Sequence, residues 1–363
     1  MIDKTIELQN SYELAANVAA AELAGLPPRE RVQRARELEA CRSRAFIQLA
    51  IGFCRRLAIE GDTEAVSWGR VAVAAAEKSP SPFGPELLPL AWAVVGNAYR
   101  ALGNLRKAAW MFEMVRDLID DVTDENDAAA ISSLEASLWM DLGDLDRAEV
   151  ILRSAIQAAT GLVSPETLNP IQIKLGQVLA DSGDQSGASE ILAGAIQEMD
   201  ESEPRMLLNA IHNLAFSLVE SGRFESAMML FHKIKYLYRD HASEKLSINR
   251  DWLKARIAVG MGSLEEGELR LRLAREQAER VEHPHLAGLI ELDRAEVLLR
   301  MGNLAEVQYA ATLAAGALEA AGSDREALAA VLLVSSGAAR RQAEVQLLEL
   351  LEKARHRASA RPS

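Results

Sequence analysis

The side chains that could do chemistry in this chain are few and badly spaced for it. Six histidines, His212, His232, His241, His283, His285 and His356, include no His-x3-His or His-Glu-x-x-His pair, and no cysteine pair lies near them, so a zinc site has no framework. His283 and His285 flank Pro284 at what reads as a helix start, where exposed loop histidines are common. The acidic run Asp117, Asp120, Asp121, Asp124, Glu125, Asp127 lacks the glycine and alternating spacing of a calcium loop and reads as a solvated connection. There is no glycine-rich phosphate loop, no Gly-x-Ser-x-Gly elbow and no strand from which one could rise. The expectation is a protein that is not an enzyme and carries no cofactor or metal.

Cys41 and Cys54 lie 13 apart on what reads as one long helix. That would separate them by roughly 20 Å, too far for a disulfide. Arg29, Arg31, Arg34, Arg36, Arg42, Arg44, Arg55 and Arg56 crowd the same region, interleaved with Glu30, Glu37, Glu39 and Glu60, which predicts ion pairs along a solvated helix face. A formal net charge of −13 argues against direct nucleic-acid binding. No stretch has the 18 or so apolar residues of a membrane span and no signal peptide opens the chain, so the expected location is cytoplasmic.

The elements that carry these residues repeat. Glycines at 61, 103, 143, 183, 222, 262 and 302 are separated by 42, 40, 40, 39, 40 and 40 residues. Seven residues before each stands a small one: Cys54, Gly96, Ala136, Gly176, Ala215, Ala255 and Ala295. Five residues after stand Val66, Ala108, Ala148, Ala188, Ala227, Gly267 and Val307, also short. Each unit therefore reads as two helices joined at a glycine, which enters the left-handed conformation of a helix C-terminus without a steric penalty. The small residues mark where the helices cross.

The clearest unit, Ala91 to Val115, places Trp92, Val95, Gly96 and Tyr99 on one helix face and Ala108, Phe112 and Val115 on the next. This resembles the W-x2-L-G-x2-Y, A-x3-F pattern of the tetratricopeptide repeat, with Val95 for Leu and a period nearer 40 than 34. The longer period is similar to that of bacterial peptide-responsive and maltose-regulator-like proteins. The resemblance implies an all-α fold, a right-handed superhelical solenoid of antiparallel helix pairs. Residues 1–42 would form N-terminal capping helices, 43–321 seven repeats, 322–357 a C-terminal capping pair and 358–363 a disordered tail. Lys254 and Arg294 stand where the pattern has Leu, and the loop Ser79 to Pro85 is the most broken interior segment, an expected hinge.

Carrying the family's groove positions over repeat by repeat gives Arg55; Asn97 and Arg100; Ser133 and Ser137; Lys174 and Gln177; His212, Asn213 and Phe216; Asn249, Trp252 and Arg256; and Glu296 and Arg300. Of these, Asn97, Arg100, Lys174, Gln177, His212, Asn213, Phe216, Asn249, Trp252 and Arg256 are the expected ligand-binding residues. Basic and amide groups outnumber acids in the set although the chain is acidic. The Lys, Asn, Asn, Lys, Arg clamp of chaperone-binding members is not reproduced. The resemblance thus implies an interaction module that takes a peptide or protein partner in a concave groove. The alternative it implies is the sensing part of a bacterial transcriptional regulator whose DNA-binding part is separate.

Overall fold

A computed structural model of the chain describes residues 2–81, 83–119, 123–199, 203–241 and 244–320. The expected C-terminal pair over 322–357 and the tail 358–363 lie outside the described residues. Among those described there is no strand, and no helix is long and apolar enough to cross a membrane.

The chain opens with α1 (Ile2–Ala24), α2 (Pro28–Glu37), a 3-10 turn (Glu39–Arg42) and α3 (Arg44–Ile59). The one long helix expected to carry both Cys41 and Cys54 is therefore broken. Leu38 leaves the helical region (φ −70°, ψ 120°), and Ser43 starts a new helix, its Oγ accepting from the Phe46 N–H at 3.2 Å. A serine that satisfies an orphan N–H of the first turn is an N-cap, and here it outweighs the continuous apolar pattern. Cys41 and Cys54 thus sit on separate elements and the one-helix spacing does not apply. Both thiols are free and buried, and burial pushes each up to about 12. The buried stripe of α1 is Ala16, Ala19, Ala20 and Leu23, while Tyr12 and Ala15 face solvent.

Antiparallel pairs follow, each an A helix and a B helix: α3 with α4 (Glu64–Lys78), α5 (Phe83–Ala101) with α6 (Leu105–Arg116), α7 (Glu125–Asp141) with α8 (Leu145–Ala159), and α9 (Pro165–Ser182) with α10 (Gln185–Glu198). The series continues with α11 (Pro204–Glu220) and α12 (Phe224–Lys233), then, after a short α13 (Lys235–His241), α14 (Glu244–Gly260) with α15 (Leu264–Arg280) and α16 (Pro284–Arg300) with α17 (Leu304–Ala320).

The turn between the helices of a pair is built the same way throughout. Gly103 has φ +76°; its N–H bonds the Arg100 carbonyl at 2.9 Å, and the Asn104 N–H bonds the Tyr99 carbonyl at 2.8 Å. These two bonds satisfy the last carbonyls of α5 and require a left-handed residue between them. The other six repeat glycines have positive φ and the same pair of bonds. Asn104 then does a second job, its side chain accepting from the Lys107 N–H at the start of α6; Asp144 and Asp184 do likewise for Arg147 and Gly187. One Gly-Asn or Gly-Asp step ends one helix and begins the next.

The small positions are where the helices touch. Ala108, Ala136, Ala148, Ala188, Ala215, Ala227, Ala255 and Ala295 are fully buried. A Cβ added to Gly176 would lie 2.5 Å from Leu192 Cγ, and one added to Gly96 3.2 Å from Met111 Cβ. Nine residues after the turn glycine, Phe112, Leu152, Leu192, Phe231 and Leu271 fill the space under the crossing. The first repeat departs from the expected register. Ala65 rather than Val66 is fully buried, because the Ala65 N–H bonds the Asp62 carbonyl in an i→i−3 turn that advances the helix by one residue.

Contacts divide the chain into two compact units, Met1–Ile171 and Gln172–Ser363. The division follows Pro170, inside α9, whose ring removes the N–H that would bond the carbonyl four residues back. The loop at Ser79, expected as a hinge, is instead tied down. Ser79 Oγ lies 2.8 Å from the Arg42 carbonyl and 2.9 Å from that of Ala75, and a Cβ on Gly84 would lie 2.5 Å from the Ala76 carbonyl.

If close approach at the crossing sets stability, two glycines on neighbouring helices should respond oppositely to one methyl group. Gly176→Ala should lower stability by about 1–3 kcal/mol, since buried Leu192 must move. Gly194→Ala at an exposed position of α10, where an added Cβ meets nothing within 4 Å, should raise it by about 0.5–1 kcal/mol. Urea denaturation of both variants checks this; equal shifts would show that the crossing at Gly176 is not tight.

Candidate functional site

In the first unit the expected ligand-gripping side chains are occupied with one another. Arg100 Nε donates to Asn97 Oδ1 at 2.9 Å, and its Nη1 donates to Asp141 Oδ2 at 2.7 Å, tying α5 to α7. Ser137 Oγ donates to the Ser133 carbonyl one turn back. Arg55 is exposed on α3.

The second unit gathers more. Lys174 and Gln177 are half-buried on α9. On α11, His212 is buried, its Nδ1 2.5 Å from Tyr238 Oη, while Asn213 and Phe216 are half-buried. The partner tyrosine is available because the second helix of this repeat stops at Lys233, and α13 turns Tyr238 inward; the sequence pattern gave no hint of that break. Aromatic rings continue from His212 to Phe216 (centroids 5.0 Å apart) and from Phe216 edge-on to Trp252 (5.4 Å). Arg256 lies over Phe216 at 5.6 Å. Trp252 and Arg256, expected as open anchors, are buried at 7% and 8% exposure. Each carries a tertiary bond. Trp252 Nε1 donates to Asp293 Oδ2 at 2.6 Å, and Arg256 joins Glu220 (2.5 Å) on α11 to Asp293 (3.3 Å) on α16. Glu296 pairs with Arg300 one turn further along α16. Asn249, half-buried on α14, has a buried Oδ1 with no hydrogen-bond partner.

These contacts change the charge balance expected of the face. Glu220 and Asp293 join Glu296, so three carboxylates meet the two guanidinium groups of Arg256 and Arg300. Asp181 on α9 is buried too, and burial reinforced by Glu220 holds its carboxyl well above the usual range. Neither Glu220 nor Asp181 was among the expected positions. Their signal was present, since Asp141, Asp181 and Glu220 each stand two residues before a turn glycine. Between the ends of α11, α14 and α16 the network walls a pocket of about 160 Å³, where Gly260 gives way to the Phe224 ring; a Cβ there would lie 2.2 Å from Phe224 Cδ1. No group of three or more His, Cys, Asp or Glu placed to hold a metal occurs among the described residues.

Antiparallel helix pairs closed by a glycine turn about every 40 residues and packed through small residues define a tetratricopeptide-like helical repeat protein. No protein-family model matches the sequence, and no curated protein matches it. Solved structures do share the fold. A Rap protein complexed with competence and sporulation factor has a TM-score of 0.67 at 12% identity, over 88% of this chain and 89% of that one. The apo quorum sensor NprR from B. thuringiensis has a TM-score of 0.53 at 11% identity, over 94% and 99%. A signal-transduction ATPase with a tetratricopeptide repeat sensor, from Pyrococcus horikoshii, has a TM-score of 0.57 at 12% identity; the match spans 93% of this chain and 50% of that one.

Two measurements test the site's electrostatics. Burial lowers the His212 pKa from 6.5 to about 3, so below pH 6.5 the unfolded chain binds a proton that the folded chain does not. The wild type should therefore lose up to about 1.4 kcal/mol per pH unit between pH 6.5 and about 3, beyond any loss in His212→Gln. Parallel stability curves would refute the buried neutral imidazole. Arg256→Met should cost about 3–5 kcal/mol by leaving Glu220 and Asp293 uncompensated, and adding Glu220→Gln and Asp293→Asn should restore much of it. No restoration in the triple variant would mean that Arg256 acts through packing alone.

Proposed function

We propose that this chain is a non-enzymatic regulatory interaction module, acting in the cytoplasm, that binds a peptide or protein segment along the A helices of its second unit. The observation that carries this reading is the small charged pocket beside the aromatic ladder. It is sized for one side chain, and Gln177, Asn213 and Asn249 on successive A helices offer amides that can both donate to and accept from an extended backbone. Asn249 Oδ1 is an acceptor still without a donor. The fold shared with the Rap protein solved with competence and sporulation factor supports the reading. The net charge of −13 supports a partner that is not nucleic acid.

A second reading, the sensing part of a transcriptional regulator with a separate DNA-binding part, draws on the fold shared with the quorum sensor NprR and with the signal-transduction ATPase that carries a tetratricopeptide repeat sensor. The two readings differ in response rather than in site. A peptide selected from a random library on the immobilised chain should bind at least tenfold more weakly to an Asn213→Ala, Asn249→Ala, Arg300→Ala variant of unchanged helicity. Equal affinity would remove this face from the function. For a sensor, the same peptide should change small-angle scattering and association with a DNA-bound protein; an adaptor should show neither change.

A further inference from the structure

The arginine-rich region near the N-terminus does not pair as a self-neutralising helix face. Its carboxylate partners come mostly from other elements: Glu22 on α1 for Arg34, Glu77 on α4 for Arg36 and Glu86 on α5 for Arg44, beside a bridge along the helix from Arg34 to Glu37. Arg31 is the most constrained. Buried at 5% exposure, it donates to the carbonyls of Leu23 and Leu26 at 3.0 Å each, lies 5.2 Å from the Trp68 ring and pairs with Glu64 on α4. That clamp fixes the N-terminal end of α2 against the N-terminal end of α4.

Between those two ends is a pocket of about 430 Å³. Its charged lining is Arg29 on α2 and Arg70 and Glu64 on α4, and Arg31 neutralises Glu64 from the buried side. Arg29 and Arg70 have no carboxylate partner among the described residues. Among the described residues Arg70 donates to the Tyr99 hydroxyl alone, at 2.9 Å, which leaves its remaining N–H groups and its whole charge. The pocket thus carries two uncompensated positive charges in a chain of net charge −13. Ser67 and Thr63 add hydroxyls, and Thr63, at the N-cap of α4, makes no side-chain bond to its own helix. Pro28, Val32 and Val66 supply an apolar wall.

We propose that this pocket binds a phosphate monoester. The two guanidinium groups match a dianion and hold its oxygens by forked N–H bonds, as arginine does with phosphate generally. The positive end of α2 adds to the same field, whereas that of α4 is already met by Asp62, whose Oδ1 accepts from the Glu64 N–H at 2.8 Å. The volume exceeds that of a bare phosphate, and the valine and proline wall takes the organic group to which the phosphate is attached. The site lies in the first unit, on α2 and α4, and is independent of the peptide-binding reading of the second unit.

Titration calorimetry of the full chain at low ionic strength tests this with phenyl phosphate as the free ester and a phosphoserine hexapeptide as the protein-borne one. One-site saturable binding is expected for at least one of them, at least tenfold weaker in Arg29→Ala and in Arg70→Ala and unchanged in Arg106→Ala, an exposed arginine on α6 that lies outside both sites. Both pocket arginines are exposed, so circular dichroism should show both variants folded. Binding of the phosphopeptide as tightly as of phenyl phosphate assigns the site to a phosphorylated protein; binding of phenyl phosphate alone assigns it to a free ester. Absence of saturable binding, equal binding by the unphosphorylated hexapeptide, or affinity that survives both substitutions would overturn the proposal.

Discussion

The structure depends on one backbone constraint, a helix that must end and reverse within three residues while its last carbonyls stay bonded. A left-handed residue followed by a residue that can cap the next helix meets both demands, and Gly103-Asn104, Gly143-Asp144 and Gly183-Asp184 are that pair. Once the turn is set, the two helices leave it side by side, and only small residues at the crossing allow the larger ones, such as Phe112 and Leu192, to fill the space beneath. The 40-residue spacing follows from that local geometry.

Electrostatics is organised on a different scale. Within each unit the charged side chains of successive A helices meet one another: Arg100 with Asp141 in the first, Arg256 with Glu220 and Asp293 in the second. These bridges link repeat to repeat, so the face expected to be an open, basic-leaning wall is partly a structural seam. Buried ion pairs of this kind cost desolvation and hold register more than they add stability. What is left for a ligand is narrower than the family positions implied, namely the half-buried amides, Arg300 and the pocket among them.

How much could be read from the chain depends on the range of the interaction. Turn glycines, most crossing residues and the helix start at Pro284 are decided within a few residues and stand where the pattern puts them. The pattern failed where a single local feature overrode it: at Ser43, which caps a new helix within a seemingly continuous one, at Ala65, where a tighter turn advances the register, and at Lys233, where the second helix of a pair stops short. Lys254 and Arg294 looked like lapses in the repeat. Arg294 is in fact buried and bonded to Glu268, Glu291 and Glu306, with Ala295 beside it at the crossing.

The sequence by itself determined the repeat: its period, its turns, its packing residues and so its all-helical tetratricopeptide-like fold. These are contacts within one unit of about 40 residues, where spacing along the chain fixes distance in space. Tertiary structure alone decided which charges neutralise which. Arg256 and Asp293 are one repeat apart and Arg31 and Glu64 are on different helices, and only the packing of one helix on another makes them neighbours. The same packing left Arg29 and Arg70 facing a common pocket whose lining acid, Glu64, is paired with Arg31 instead, which no spacing along the chain could show.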